Sequence, residues 1–224
     1  MTNDKLHLVD SLIRAIPELT AGQLHWIQRV VADFGAEHSF TINESDLFDE
    51  ITLQNFGDAI RVHHSFSAEP FSKDKFEYVL VRVLIMSGHM ATLAPKGNPG
   101  HDVTVDGVKL SLKTQADDSI KENVLWISKF MELGKGNWSD VPSDLEGLRK
   151  QFLIHMKNYE RILSLRALQK EPRWKYELVE IPKSILKMAK NGILEMKTDS
   201  KQFPKPGYCY VKNQKGGNYE RLEK

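Results

Sequence analysis

The pair Asp106-Gly107, inside "VTVDGVKLSL" (103–112), restricts this chain more than any other feature. The favoured two-residue hairpin turns need positive φ, and Asp-Gly supplies it at little steric cost. With the turn fixed there, Val105 faces Val108, Thr104 faces Lys109, Val103 faces Leu110 and Asp102 faces Ser111. Opposed residues share a face of the sheet, and faces alternate along each strand. Val103, Val105, Val108, Leu110 and Leu112 therefore form one apolar face. Asp102, Thr104, Lys109, Ser111, Lys113 and Gln115 form the other, which is polar. The apolar face needs a cover, and the preceding segment offers one. Ser72 suits the N-cap of a helix running to about Ser87 and stopped by Gly88. Phe76, Val79, Leu80, Val83 and Leu84 form its buried stripe.

The flanking segments extend this pattern. Leu6, Val9, Leu12, Ile13 and Ile16 fall at helical spacing up to Pro17, and a second helix follows Thr20 with Leu24, Ile27, Val30 and Val31 on one side. Residues 41–70 read as mixed and turn-like. "VLWIS" (124–128) reads as a short strand, and 129–142 as a loop with Gly, Pro, Lys and Trp. Leu145, Leu148, Phe152, Met156 and Tyr159 predict a helix over roughly 144–159. "RILSLRAL" and "WKYELVEI" read as strands. Pro182 suits the first turn of a helix over 183–190, closed by Asn191-Gly192. The expectation is a single α/β domain over 1–224: a mainly helical part to 60, a core over 71–182 and a basic part over 183–224.

Charge is unevenly spread. Residues 1–60 carry 3 Lys/Arg against 10 Asp/Glu, while 182–224 carry 10 against 4. An acidic start and a basic end imply different surroundings, or simply two solvated faces. The one cysteine, Cys209, excludes a disulfide framework and fits a reducing cytoplasm. No apolar run approaches membrane-spanning length, and no secretion signal opens the chain.

Asp102 and Lys113 are diagonal neighbours on the polar face, about 7–8 Å apart by backbone geometry. They are either two charges on a solvated hairpin or half of a metal-dependent site. Mg²⁺ takes one or two carboxylates and completes its shell with water and a substrate phosphate. It polarises the phosphoryl oxygen and acidifies the attacking water, and a lysine beside it can orient that water. Nucleases of the PD-(D/E)xK type follow this logic, but their acidic position two residues before the lysine is Ser111 here. The second acid has to come from elsewhere. Glu77, on the helix before the hairpin and beside its apolar stripe, is the first candidate, with an exposed helical charge as the alternative. His63-His64 lacks metal-ligand spacing, His101 faces away from Asp102, and no Gly-rich phosphate loop is present. Trp138 and Lys135 could contact a sugar-phosphate backbone or line a surface loop.

Longer stretches carry a resemblance: "FGD" (56–58), "HH" (63–64), "FE" (76–77), "NPGHD" (98–102), "LKT" (112–114), "MELGKG" (131–136), "NYERI" (158–162), "LVEIPKS" (178–184) and "PKPGY" (204–208). In this order and spacing the chain resembles the SmaI family of type II restriction endonucleases, from the second helix to the Gly216-Gly217 pair. The resemblance implies a restriction-endonuclease-like PD-(D/E)xK core, a mixed central sheet flanked by helices. It implies Mg²⁺-dependent hydrolysis of double-stranded DNA at a palindromic GC-rich site, CCCGGG cut bluntly, by a homodimer in a bacterial cytoplasm. That family also lacks the acid before the lysine and carries a glutamate matching Glu77. The expected roles are Asp102 and Glu77 for the metal and Lys113 for the water, with Lys129, Lys135, Lys201 and Lys205 near DNA. The segment after "PKPGY" and the tail are short by the standard of the resemblance. An inactive DNA-binding relative and a repair or recombination nuclease of the same fold are the alternatives.

Overall fold

The computed structural model describes residues 3–98, 100–117, 120–122, 139–169, 173–212 and 219–223. The strand expected at 124–128, most of the loop expected at 129–142, Trp138, Lys129 and Lys135 lie outside the described residues. The chain divides into two compact units, residues 1–69 and 70–224.

The first unit is helical: α1 (Asn3–Ala15), α2 (Ala21–Gly35) and α3 (Glu50–Phe66). Thr20 caps α2 with a reciprocal box, its hydroxyl accepting from Gln23 N while the Gln23 side chain accepts from Thr20 N. The third helix corrects the turn-like reading of 41–70. The Asp49 carboxylate accepts from Thr52 N at 2.7 Å and starts it. Thr52, Phe56, Ile60 and Ser65 are its buried residues. Half of that stripe is small and polar, so the helical period does not show in a hydrophobic pattern. The Arg29 side chain ties α2 to α3 by donating to Ser65 O at 2.7 Å. The stripe predicted on α1 forms on a helix but is left open, with Leu12 50 % and Ile13 60 % exposed.

The second unit begins with α4 (Lys73–Met86), capped by Ser72. A five-stranded mixed sheet follows in the order β1 (Ala91–Leu93), β2 (Val103–Val105), β3 (Val108–Gln115), β4 (Arg161–Gln169), β5 (Lys175–Glu180). Pairings are antiparallel except β3 with β4, which run parallel. The turn is as the sequence dictates, with φ of 49° at Asp106 and 82° at Gly107. Val105 pairs with Val108, Thr104 with Lys109 and Val103 with Leu110. Val103, Val105, Leu110 and Leu112 are buried, as are Phe76, Leu80, Val83 and Leu84 of α4, which packs on these strands. Each Å² of apolar surface that this layer removes from water contributes about 25 cal/mol.

The polar face is covered in part: Ser111 is buried and Lys113 half-buried, while Lys109 stays exposed. β4 carries Ile162 and Ser164 beside Ser111 and Lys113. Ile162 belongs to a second buried cluster with Met156, Tyr159, Ile181 and Leu186. Near-continuous apolar character in "RILSLRAL" is what a strand covered on both sides requires. α5 (Asp144–His155) continues through a 3₁₀ turn (Met156–Asn158) into β4. Arg166 is buried on the same face as Gln115 and pairs with Glu177 and Lys121 O, so one guanidinium ties the middle of the sheet to its edge. α6 (Lys183–Lys187) takes Pro182 as its N-cap rather than its first helical residue. A second antiparallel sheet follows: β6 (Ile193–Met196), β7 (Gly207–Lys212) and β8 (Tyr219–Glu223).

Candidate active site

Strand β2 begins at Val103, and Asp102, just before it, does what the ladder there cannot. Its N–H still donates to Leu110 O at 2.9 Å. The next β3 donor, Leu112 N, would have no strand partner. The Asp102 carboxylate accepts from it instead, Oδ2 to N 2.6 Å. A charged acceptor on a backbone amide makes a short, strong bond, so the carboxylate is fixed to the sheet. Its approach is tight as well. A Cβ at Gly100 would lie 2.6 Å from Asn158 Cβ, so only glycine lets the chain pass there.

Lys113 lies on β3 next to it. Its ammonium donates to Ser111 Oγ at 2.9 Å and to Leu112 O at 3.2 Å, and stands 3.9 Å from Asp102 Oδ2. Ser111 is buried, and its hydroxyl donates weakly to Asp102 Oδ2 at 3.4 Å while accepting from Lys113. Ser111 is thus a bridge between the aspartate and the lysine.

Glu77 comes in from α4 through a residue the sequence reading did not single out. Lys73, one turn earlier, donates to Asp102 Oδ1 at 2.8 Å and lies 3.0 Å from Glu77 Oε1. Burial works to lower the Lys73 pKa, but its hydrogen bonds to Asp102 and Glu77 and their charges outweigh that and hold it above the ordinary lysine value. The signal was a Lys-x-x-x-Glu spacing on a helix, which any solvated helix also shows.

Tyr159 is the other residue missed. It is buried between the 3₁₀ turn and β4, and among the described residues its hydroxyl has no hydrogen-bond partner. Burial and, secondarily, the Asp102 carboxylate push its pKa up to about 12. The remaining candidates stand apart. Lys201 is exposed in the loop between β6 and β7. Lys205, in the same loop, donates its ammonium to Thr198 O. Neither lysine takes part in the hydrogen bonds and ion pairs that join Asp102, Glu77, Lys73 and Lys113.

Two carboxylates and two ammonium groups therefore converge where the apolar hairpin meets α4. A family model for SmaI, type II site-specific deoxyribonuclease, matches residues 12–221. This chain belongs to that family of type II restriction enzymes. It is 43 % identical over 180 residues to the type II restriction enzyme SmaI of Serratia marcescens, covering 80 % of this chain and 71 % of the relative. No solved structure matches. The mixed five-stranded sheet with its helices is compatible with an α/β nuclease fold.

Proposed function

We propose that this enzyme hydrolyses phosphodiester bonds of double-stranded DNA at CCCGGG to leave blunt ends, using Mg²⁺ on a PD-(D/E)xK core. The observation that carries the reading is the pair of oxygens from Asp102 and Glu77 on one nitrogen, with Lys113 beside them. The Lys73 ammonium is a stand-in cation there: two hard carboxylate oxygens already converge on a positive charge. Among the described residues no group of three or more His, Cys, Asp or Glu could hold a metal. The two carboxylates of Asp102 and Glu77 are the number that Mg²⁺ commonly takes from a protein, leaving its other positions for water and phosphate.

In this reading Asp102 and Glu77 hold the ion. When bound it polarises the phosphoryl oxygen and makes the attacking water more acidic. Asp102 keeps its orientation through Leu112 N. Lys113, held beside Asp102 by Ser111 Oγ and Leu112 O, sets its positive charge against the attacking water or a phosphate oxygen, where negative charge builds. Lys129, Lys135, Lys201 and Lys205 supply backbone contacts in a bacterial cytoplasm. No helix among the described residues is long and apolar enough to cross a membrane.

A palindromic site calls for a two-fold protein, and a second copy of this chain fits the open face of α1. Leu6, Val9, Leu12 and Ile13 lie on one stripe there and are all exposed. The helix carries Asp4 in its first turn and Arg14 in its last. Antiparallel pairing about a two-fold axis sets each against its opposite.

The test is digestion of a mapped plasmid with Mg²⁺ or EDTA, by the wild type and Asp102→Asn. The reading expects blunt cuts at every CCCGGG, none with EDTA, and a loss of roughly a thousandfold or more in the variant. Cutting elsewhere sinks the specificity, and cutting by Asp102→Asn at the wild-type rate sinks the site.

A further inference from the structure

We propose that Lys73 is a resident counter-ion of the Asp102–Glu77 pair, which a divalent cation must displace and which then binds a phosphate of the DNA backbone. The inference rests on the metal-site reading above and deepens it. The oxygens that lie 2.8 Å and 3.0 Å from Lys73 Nζ belong to the carboxylates assigned to the ion. An ammonium group and a divalent cation cannot both occupy the space between those oxygens, because like charges at that separation repel strongly. Binding of the ion therefore requires Lys73 to leave.

The local chain explains why a lysine is there and how it leaves. Lys73 is the first residue of α4 after the Ser72 cap. The positive end of the helix dipole disfavours a cation in the first turn. What holds this one is the carboxylate pair. Its side chain is 42 % exposed, against 23 % for Lys113, so the four-carbon stem can swing outward without crossing the core. Once displaced, the ammonium needs a new anion. The substrate brings one, because the DNA that delivers its scissile phosphate to Asp102 and Lys113 presents neighbouring phosphates around the same rim. The arrangement couples the two ligands: the empty site is neutralised by the protein, and DNA stabilises the displaced lysine. Cation and DNA then reinforce each other's binding by the same factor, as linkage requires.

The test uses the full chain and Lys73→Met, which keeps an unbranched apolar stem and removes the charge. A thermal melt confirms that the variant folds. Calorimetric titration with Mn²⁺ and Mg²⁺ in the absence of DNA should give binding to Lys73→Met tighter than to wild type, by roughly three- to tenfold, the scale of its two partly exposed ion pairs together. DNA binding is then followed with Ca²⁺ and with EDTA against salt. The slope of log K against log salt should be shallower in Lys73→Met by about one for each protomer bound when Ca²⁺ is present, and unchanged when it is absent. Equal or weaker cation binding by Lys73→Met overturns the counter-ion role, and an unchanged slope with Ca²⁺ overturns the phosphate role. If neither protein binds a cation, the metal-site reading falls and this inference falls with it. If both bind equally and Asp102→Asn does not, only this inference fails.

Discussion

Tyr159→Phe removes one oxygen from the interior and leaves everything else about the residue in place. Tyr159 is 1 % exposed, and among the described residues its hydroxyl has no hydrogen-bond partner. The ring stands edge-on to His155 at 5.6 Å, and the Lys183 ammonium lies 5.2 Å from its centroid. Phenylalanine keeps both contacts and nearly the same volume. A buried hydroxyl left without a bond costs about 1–3 kcal/mol of desolvation. Its removal should therefore stabilise the folded chain by about 1–2 kcal/mol. For a chain of this size each kcal/mol moves Tm by about 2–4 °C, so the variant should melt about 2–8 °C higher. Differential scanning calorimetry of the two proteins side by side is sufficient. An unchanged or lower Tm refutes the reasoning, because it shows that the hydroxyl has a partner in the folded protein. The Asp102 carboxylate, whose charge already acts on this phenol, is the first partner to check, by repeating the comparison in an Asp102→Asn background.

Gly100→Ala should lower cleavage at least tenfold, because its Cβ would meet Asn158 Cβ at 2.6 Å and push the chain that carries Asp102. Adding Asn158→Gly should restore most of the rate, and failure of that rescue removes the steric explanation. Leu12→Glu with Ile13→Glu on the open stripe of α1 should turn the proposed dimer into a monomer in sedimentation at low micromolar concentration, with a similar Tm; an unchanged mass sinks that interface. Burial pushes both Tyr159 and Tyr176 up to about 12. The unfolded chain releases these protons near 10, so their contribution to stability is whole below pH 10 and is lost as pH rises from 10 towards 12. Denaturant midpoints of wild type and of the double Phe variant should diverge over that window. Parallel curves contradict the assignment.

The hairpin was legible because two independent signals agree on its register. Asp106-Gly107 can adopt few conformations, and the alternation on either side of it is unbroken over five apolar positions. Helix α3 was hidden because Thr52 and Ser65 fill core positions that a hydrophobic pattern assigns to solvent. The cover over the polar face was also hidden, for a different reason. Ser111 and Lys113 look solvated within the hairpin. They are enclosed only because parallel β4 delivers Ile162 and its cluster from some fifty residues away. Asp102 and Lys113 follow from register alone. Lys73 and Tyr159 do not, since each acquires its meaning from a partner that only the tertiary fold supplies.

That enclosure also accounts for the serine at the usual acidic position. Position 111 is 2 % exposed and bonded to both Asp102 and Lys113. A carboxylate there would add a second negative charge beside the fixed carboxylate of Asp102, in a place with almost no water to screen it. Like charges so placed cannot both stay ionised without a large penalty. A hydroxyl satisfies both neighbours without adding charge. In the proposed site the second acid is Glu77, whose side chain is 20 % exposed and already paired with Lys73 on the same helix. The chain keeps two carboxylates at one point while leaving the buried strand position 111 uncharged, and the Lys73 ammonium on α4 offsets the charge of both.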